Sequence, residues 1–466
     1  MEMVMQYYPN QNIISEQRFG FGPLYGQQAL SLERQLSSET YWHESVTKLL
    51  SSDDVLLELS VFNETKRKLK QSPKKKREVQ QRLGSFFKQQ YLLQAEARNL
   101  QTLNTPHGFQ ERLIQFWSNH FAISADTRKV QPIVASVENE VVRKHWNGNF
   151  VDMLLAVSQH PAMLMFLDNN LSVGPNSKQG TLRGKGLNEN LAREIMELHT
   201  LGVDSQYTQQ DVIELSKAIT GWSVGFKAPR IGFQFNAAAH EPGSITLLGK
   251  RYSQKGIEQG KACLQDLALH PDTANHLARK LARHFCGSSG ESLIEPLSQT
   301  YLKSKGDLLP VYRQLIQSAQ SLSAQPLRFR TSQEWLFAVL RSTDMVHLER
   351  EEKRGDNVEN RILGALRNLG QPPFLSGSPA GWPDNDADYN SPSALTQRWQ
   401  LSNQIAQLVM NNAKERGVSA DELVERIGEH LYGDALNEHT NLVMQKAPSA
   451  EMKLSLLWLS PQFQYR

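Results

Sequence analysis

The chain has 466 residues, 39% hydrophobic and 21% charged, with 51 Lys and Arg against 48 Asp and Glu for a formal charge of +3. These values are globular, so disorder of the whole chain is excluded and a large core can form without staples. A charge balance this near neutral carries no signal for nucleic acid, and two cysteines, Cys263 and Cys286, exclude a disulfide framework.

In chain order, the first stretch, "MEMVMQYYPNQNIISEQRFGFGP", lacks a charged region followed by an apolar one. It is not a secretory signal, which points to the cytoplasm. No apolar run is long enough to span a membrane. The run "KRKLKQSPKKKREVQQR" at 66–82 is basic without interleaved aromatics, so it reads as a solvated segment and not as a nucleic-acid contact. A period near 3.6 predicts amphipathic helices over 109–121, 134–145, 150–158, 188–201, 209–220, 273–285, 331–341, 392–410 and 452–459. Thr208 with Asp211 is a capping-box start, and Pro271-Asp272-Thr273 opens the helix that follows. Strand character is confined to 222–252, where Phe233 and Phe235 alternate with polar residues, Glu241-Pro242-Gly243-Ser244 is a turn, and "ITLLG" can return as a partner strand. Long loops are expected at 169–187, at 371–392 and along the basic run 66–82. The expected fold is therefore mainly α, a single large helical domain over 1–466 with one small β-hairpin.

Three helices carry a histidine on or beside an apolar face: His120 among Leu113, Phe116 and Phe121, His199 beside Ile195, and His284 beside Leu277 and Phe285. His240 stands next to the Glu241 turn. On the opposite face of 188–201 lie Asn190, Arg193, Glu194 and Glu197, with Arg193 and Glu197 spaced to pair. Convergence of these groups would give acid/base chemistry or a divalent-metal site. On that reading Glu194, Glu197, His199 and Arg193 are the catalytic candidates, and His120, His240 and His284 the metal ligands. The competing reading has each imidazole hydrogen-bonded in place, because no close spacing such as H-E-x-x-H occurs. Arg183, Lys185, Asn188 and Asn190 precede or open a helix, where an anion can bind. They are the substrate-binding candidates, with Trp222 on the strand side and Lys280 as a further anion stabiliser. The acidic loop "GWPDNDAD" at 381–388 reads as a solvated turn.

Several segments together carry a resemblance: "FWSNHF" (116–121), "HPAMLMFLDN" (160–169), "GLNENLAREIMELHTLGV" (186–203), "YTQQDVIELSKAITGW" (207–222), "HEPGSITLLG" (240–249), "LARKLARHF" (277–285), "GWPD" (381–384) and "SPQFQYR" (460–466). With "RFGFGP" (18–23) they resemble, in order and over nearly the whole chain, the bacterial family catalogued as domain of unknown function 1800. The resemblance implies one mostly helical, family-length domain and no established reaction. It also implies export for many members and a sulfatase-like partner protein encoded nearby. The chain departs from this in showing no export signal. Two functions fit the residues. One is a hydrolase-like or metal-assisted enzyme, its pocket floored by helices 109–121, 188–201 and 273–285 and covered by the loops 169–187 and 371–392. The other is a non-catalytic helical scaffold that binds a partner protein.

Overall fold

The computed structural model describes residues 9–69, 72–183, 186–321, 328–343 and 358–466. The fold is mainly helical, with two small two-stranded antiparallel sheets. The elements that build the site are α1 (Pro9–Phe19), α2 (Ser52–Lys68), α3 (Pro73–Asn104), α4 (Gly108–His120), α5 (Asn190–Glu194), α6 (Gln209–Ala218), α7 (Pro271–Cys286), α8 (Ser332–Arg341), α9 (Pro392–Glu415), α10 (Ala420–Tyr432) and α11 (Ala450–Leu459). One π-helical turn, Ile195–His199, continues α5.

Local chemistry sets the helix starts. Capping boxes close α2 through Ser51 and Asp54, α6 through Thr208 and Asp211, and α8 through Thr331 and Glu334. Pro271 occupies the first turn of α7, where a missing N–H costs nothing, and the His270 ring accepts the Asp272 N–H at 3.1 Å. The basic run 66–82 is mostly not loop. It forms the end of α2 and the start of α3, with Pro73 at the first helical position.

Strand pairing differs in detail from the expected single hairpin. β1 (Trp222–Lys227) pairs with β2 (Arg230–Phe235), and β3 (Ile245–Leu247) pairs with β4 (Lys250–Tyr252). "ITLLG" thus turns back on "KRY" and not on the Phe233 strand. The reason is local: Leu248 and Gly249 take φ of 49° and 75°, the two left-handed positions that a tight primed turn needs.

Buried apolar residues form two clusters. The larger takes α2, α4, α7 and the middle of the chain. The second is built by α8, α9, α10 and α11, with Phe21 and Leu103 reaching in from the first half. The α4–α7 pair faces α8 across a seam where the side chains are polar. Among the described residues no helix is long and apolar enough to cross a membrane.

Candidate functional site

Two facing helices carry matched stripes. On α7, His276, Lys280 and His284 recur every four residues, which puts them on one face. On α4, Arg112, Phe116 and His120 do the same. The stripes meet: Arg112 Nε donates to His284 Nε2 at 3.2 Å, the Phe116 and His284 rings lie 5.2 Å apart, and the His120 and His276 rings lie 6.2 Å apart.

At one end the imidazoles gather on the π-helical turn. His120 Nε2 donates to the His199 carbonyl and His276 Nε2 to the Leu198 carbonyl, each at 3.1 Å. The two rings thereby cap carbonyls that the helix end leaves without an internal partner. His120 and His199 are each 1% exposed, and both ring nitrogens of His199 lack a partner among the described residues. Burial, with the Lys280 ammonium adding to it, pushes His199 down to about 3 and His276 to about 4. These imidazoles are neutral at physiological pH. Burial brings Lys280 itself down to about 8 against the opposing pull of Asp384. Lys280 has no hydrogen-bonded or ionic partner among the described residues.

At the other end lies a hub of buried charge. Glu334 serves twice. Its Oε2 accepts the Thr331 N–H at 2.8 Å and closes the α8 capping box, while its Oε1 collects Arg328 at 3.3 Å, Arg112 at 3.4 Å, and Arg466. His284 Nδ1–H donates to Asp384 Oδ1 at 2.8 Å, and Arg328 reaches the same oxygen at 3.1 Å. Burial alone would raise Glu334, but Arg328, Arg466 and Arg112 outweigh it and hold the carboxyl well below its usual range. Burial pushes His284 down to about 4 against Asp384, so the ring is neutral, protonated on Nδ1 and accepting on Nε2. Arg330 and Arg398 are also buried, and they spend their donors on Gln17, Gln464 and backbone carbonyls. Five guanidiniums (Arg112, Arg328, Arg330, Arg398 and Arg466), none more than 3% exposed, therefore crowd around two contacting carboxylates.

Beside the hub lie two small clefts. The first is walled by Arg112, Gln115, His284, Gln333, Gln371 and Asp384. The second mixes Phe121, Ile123, Val137 and Phe374 with Ser118, Glu138 and Ser376. Arg98, Asn119 and Trp382 line both. The segment 371–389 folds over them. Asn119 and the Trp382 backbone exchange bonds of 2.7 and 2.9 Å, and Gly381 holds φ +78° where a Cβ would strike Asn119.

The remaining residues singled out from sequence are scattered. Arg193 bridges Glu189 at 3.2 Å and Glu197 at 3.3 Å on a face about one-third exposed, and burial raises Glu194 beside them. His240 sits against Thr220 and Phe235. Trp222 is fully buried core packed on Gly260 and Phe233. Asn190 is exposed, and its N–H is already taken by Asn188 Oδ1 at 2.9 Å, so part of that helix end is capped from within. Lys185 lies outside the described residues, as does the Arg183 side chain. The segment 169–187 is partly helical, over Lys178–Arg183. Among the described residues no group of three or more His, Cys, Asp or Glu is placed to hold a metal ion. Burial pushes the thiols of Cys263 and Cys286 up to about 12 and 11, the signature of inert thiols.

The arginine hub escaped the sequence reading. Arg112 could have been flagged, since it interrupts the apolar face of "FQERLIQFW" between Phe109 and Phe116. Arg328, Arg330, Arg398 and Arg466 carry no periodic signal. A family model described as "Protein of unknown function (DUF1800)" matches residues 16–465. No curated protein and no solved structure matches the chain.

Proposed function

The chain belongs to the DUF1800 family, and from the geometry of its polar seam we propose that it is a binding protein for a small acidic molecule. The observation that carries this reading is the surplus of buried positive charge beside a cavity. Buried charges are normally matched, because an unmatched one loses its hydration without compensation. Here Arg112, Arg328 and Arg466 touch the two carboxylates, while the buried Arg330 and Arg398 beside them bond only amides and backbone carbonyls among the described residues, so an anion entering the adjoining cleft gains from a field already in place. The site is pre-formed, concave and at the junction of two cores, where small-molecule sites concentrate. The same side chains give little for general acid–base work. The His284–Asp384 pair resembles a catalytic dyad, but Arg112 already occupies its outer nitrogen.

Thermal unfolding in acetate, phosphate and sulfate, against chloride at equal ionic strength, tests this. A specific acid should raise the melting temperature saturably, by about 2.7 kcal/mol of stability at a hundredfold excess over Kd, and Arg98→Met should abolish the rise. Shifts no larger than those from chloride across the whole panel would overturn the reading.

A metal-assisted enzyme is the second reading, and His199, buried with two unpartnered ring nitrogens, is the observation in its favour. The neighbouring His120 and His276 turn their Nε2 atoms to backbone carbonyls, and the Lys280 charge works against a cation there. Stoichiometric divalent metal in purified protein, lost in His199→Ala, would establish it; metal content independent of His199 would remove it.

A further inference from the structure

Polar atoms sealed from water normally have a partner. At the π-helical end of the seam three do not. Both ring nitrogens of His199 and Nδ1 of His120 are buried and unbonded among the described residues, and the two rings lie 6.0 Å apart. His120 spends its N–H on the His199 carbonyl, so its Nδ1 is a bare acceptor. Neutral His199 offers one N–H and one lone pair. Lys280 stands beside these rings, one turn along α7 from His276, and its charge is felt by His120, His199 and His276 alike.

This amine is half-buried, and so reachable, yet it has no hydrogen-bonded or ionic partner among the described residues. The titratable groups around it are His120 from α4, His199 from the π-helical turn, His276 and His284 from its own helix, and Asp384 from the covering segment. The four imidazoles are neutral, and Asp384 lies beyond ion-pair reach. An ammonium so placed loses hydration without gaining a counter-ion, which is the setting that frees a lysine as a nucleophile. The fall of Lys280 to about 8 accords with this.

We propose that Lys280 is a covalent site for a small aldehyde or ketone, held as an imine, with the unbonded His199 ring serving the carbonyl oxygen. The free amine attacks the carbonyl carbon, and one N–H proton passes to the oxygen to give a carbinolamine. The His199 N–H donates to that oxygen as charge develops on it. The hydroxyl then takes the remaining amine proton and leaves as water, and C=N remains. One water is lost, and no oxidant or reductant is needed. The site does not depend on the anion-binding reading, since the carbonyl can belong to a neutral molecule or to an oxo acid.

The test is reductive trapping on the full chain. Propanal or glyoxylate is added with cyanoborohydride at neutral pH, and peptide mass spectrometry locates the adducts. Lys280 should be labelled at least about tenfold faster than the exposed Lys144 and Lys178. Its rate should saturate with carbonyl concentration while theirs stays linear. Lys280→Met should lose the fast adduct and melt no lower than wild type, because an uncompensated charge leaves the interior. His199→Phe should slow trapping at Lys280 by about tenfold and leave Lys144 unchanged in the same sample. Where that variant does not fold, His199→Ala gives the same direction.

Saturation at lower glyoxylate than propanal would support the site and name an oxo acid as its occupant; the reverse order would support it with a neutral carbonyl compound. Lys280 labelled no faster than Lys144 by either reagent would overturn the proposal. Fast labelling that never saturates would overturn it too, since an amine can be reactive without a binding site around it. Trapping unchanged in His199→Phe would remove His199 from the site. None of these results bears on anion binding, which is read from melting in phosphate and sulfate.

Discussion

Glu16 is 2% exposed, and its Oε2 has no partner among the described residues. The carboxyl sits in a slot where a Cβ on Gly20 or Gly108 would collide with it, and the Gln35 amide donates to its other oxygen. Burial raises it to about 7 from 4.5, against Arg341 and Gln35. The sign follows. The folded state binds this proton more tightly than the unfolded one, so stability is greatest below about 4.5, falls as pH rises to about 7, and is flat above. The loss is of order 3 kcal/mol. Glu16→Gln should flatten this part of the profile and raise the urea midpoint at pH 8. A profile identical to wild type would show that the carboxyl is not titrating in the fold. Glu111 poses the opposite case. It meets Arg143 with two bonds, of 2.6 and 3.0 Å, both side chains essentially buried. Burial acts to raise its pKa, but Arg143 wins and lowers it. Glu111→Ala strands a buried guanidinium and should cost about 3–5 kcal/mol. The remaining contact with Glu138, at 3.5 Å, favours the lower end. By contrast, Glu197→Ala on the one-third exposed face should cost only about 0.2–1 kcal/mol. Chemical denaturation of both variants checks the contrast.

At the scale of elements, α4 and α7 work as a pair because Arg112, Phe116 and His120 on one and His276, Lys280 and His284 on the other recur every fourth residue on the faces that meet. The π-helical turn at Ile195–His199 is tied to both helices through two carbonyls. His276→Ala and His120→Ala should each cost about 1–3 kcal/mol by leaving a carbonyl unmet. Because both rings serve one turn, the double variant should cost less than the sum. A double-mutant cycle read by thermal unfolding measures this, and strict additivity would show the two bonds to be independent. The helices of this pair were legible from periodicity. The start of α3 was not, because its exposed residues are largely basic and mimic a solvated loop.

At the scale of the whole molecule, the hub joins two apolar cores that share few apolar side chains. Arg112 comes from the first core, Glu334 and Arg328 from in and beside α8, and Arg466 from far along the chain. Glu334→Gln removes the charge three arginines share and also weakens the α8 capping box. Hydrogen exchange should then release Ser332–Arg341 and Ala450–Leu459 earlier relative to Gly108–His120 and Pro271–Cys286 than it does in wild type. Coincident release in the variant would show that the cores are held by apolar contact alone.

The sequence by itself determined which faces turn inward, and where most helices begin. Periods of 3.6 and 2 record whether a side chain meets water, and Thr208, Thr331 and Pro271 punctuate helices through bonds made within a few residues. The mainly helical class, the strand segment at 222–252 and the burial of His120 and His199 were readable for that reason. Only the tertiary structure decided which inward groups share a site. It placed His276 with His120 and His199, set His240 apart against Thr220, and brought Arg112, Glu334, Asp384 and Arg466 together across more than three hundred residues. A helical face encodes its distance from water and not the identity of the helix opposite. Buried arginines, whose long arms reach backbone carbonyls in several elements, leave no periodic mark of where they will meet.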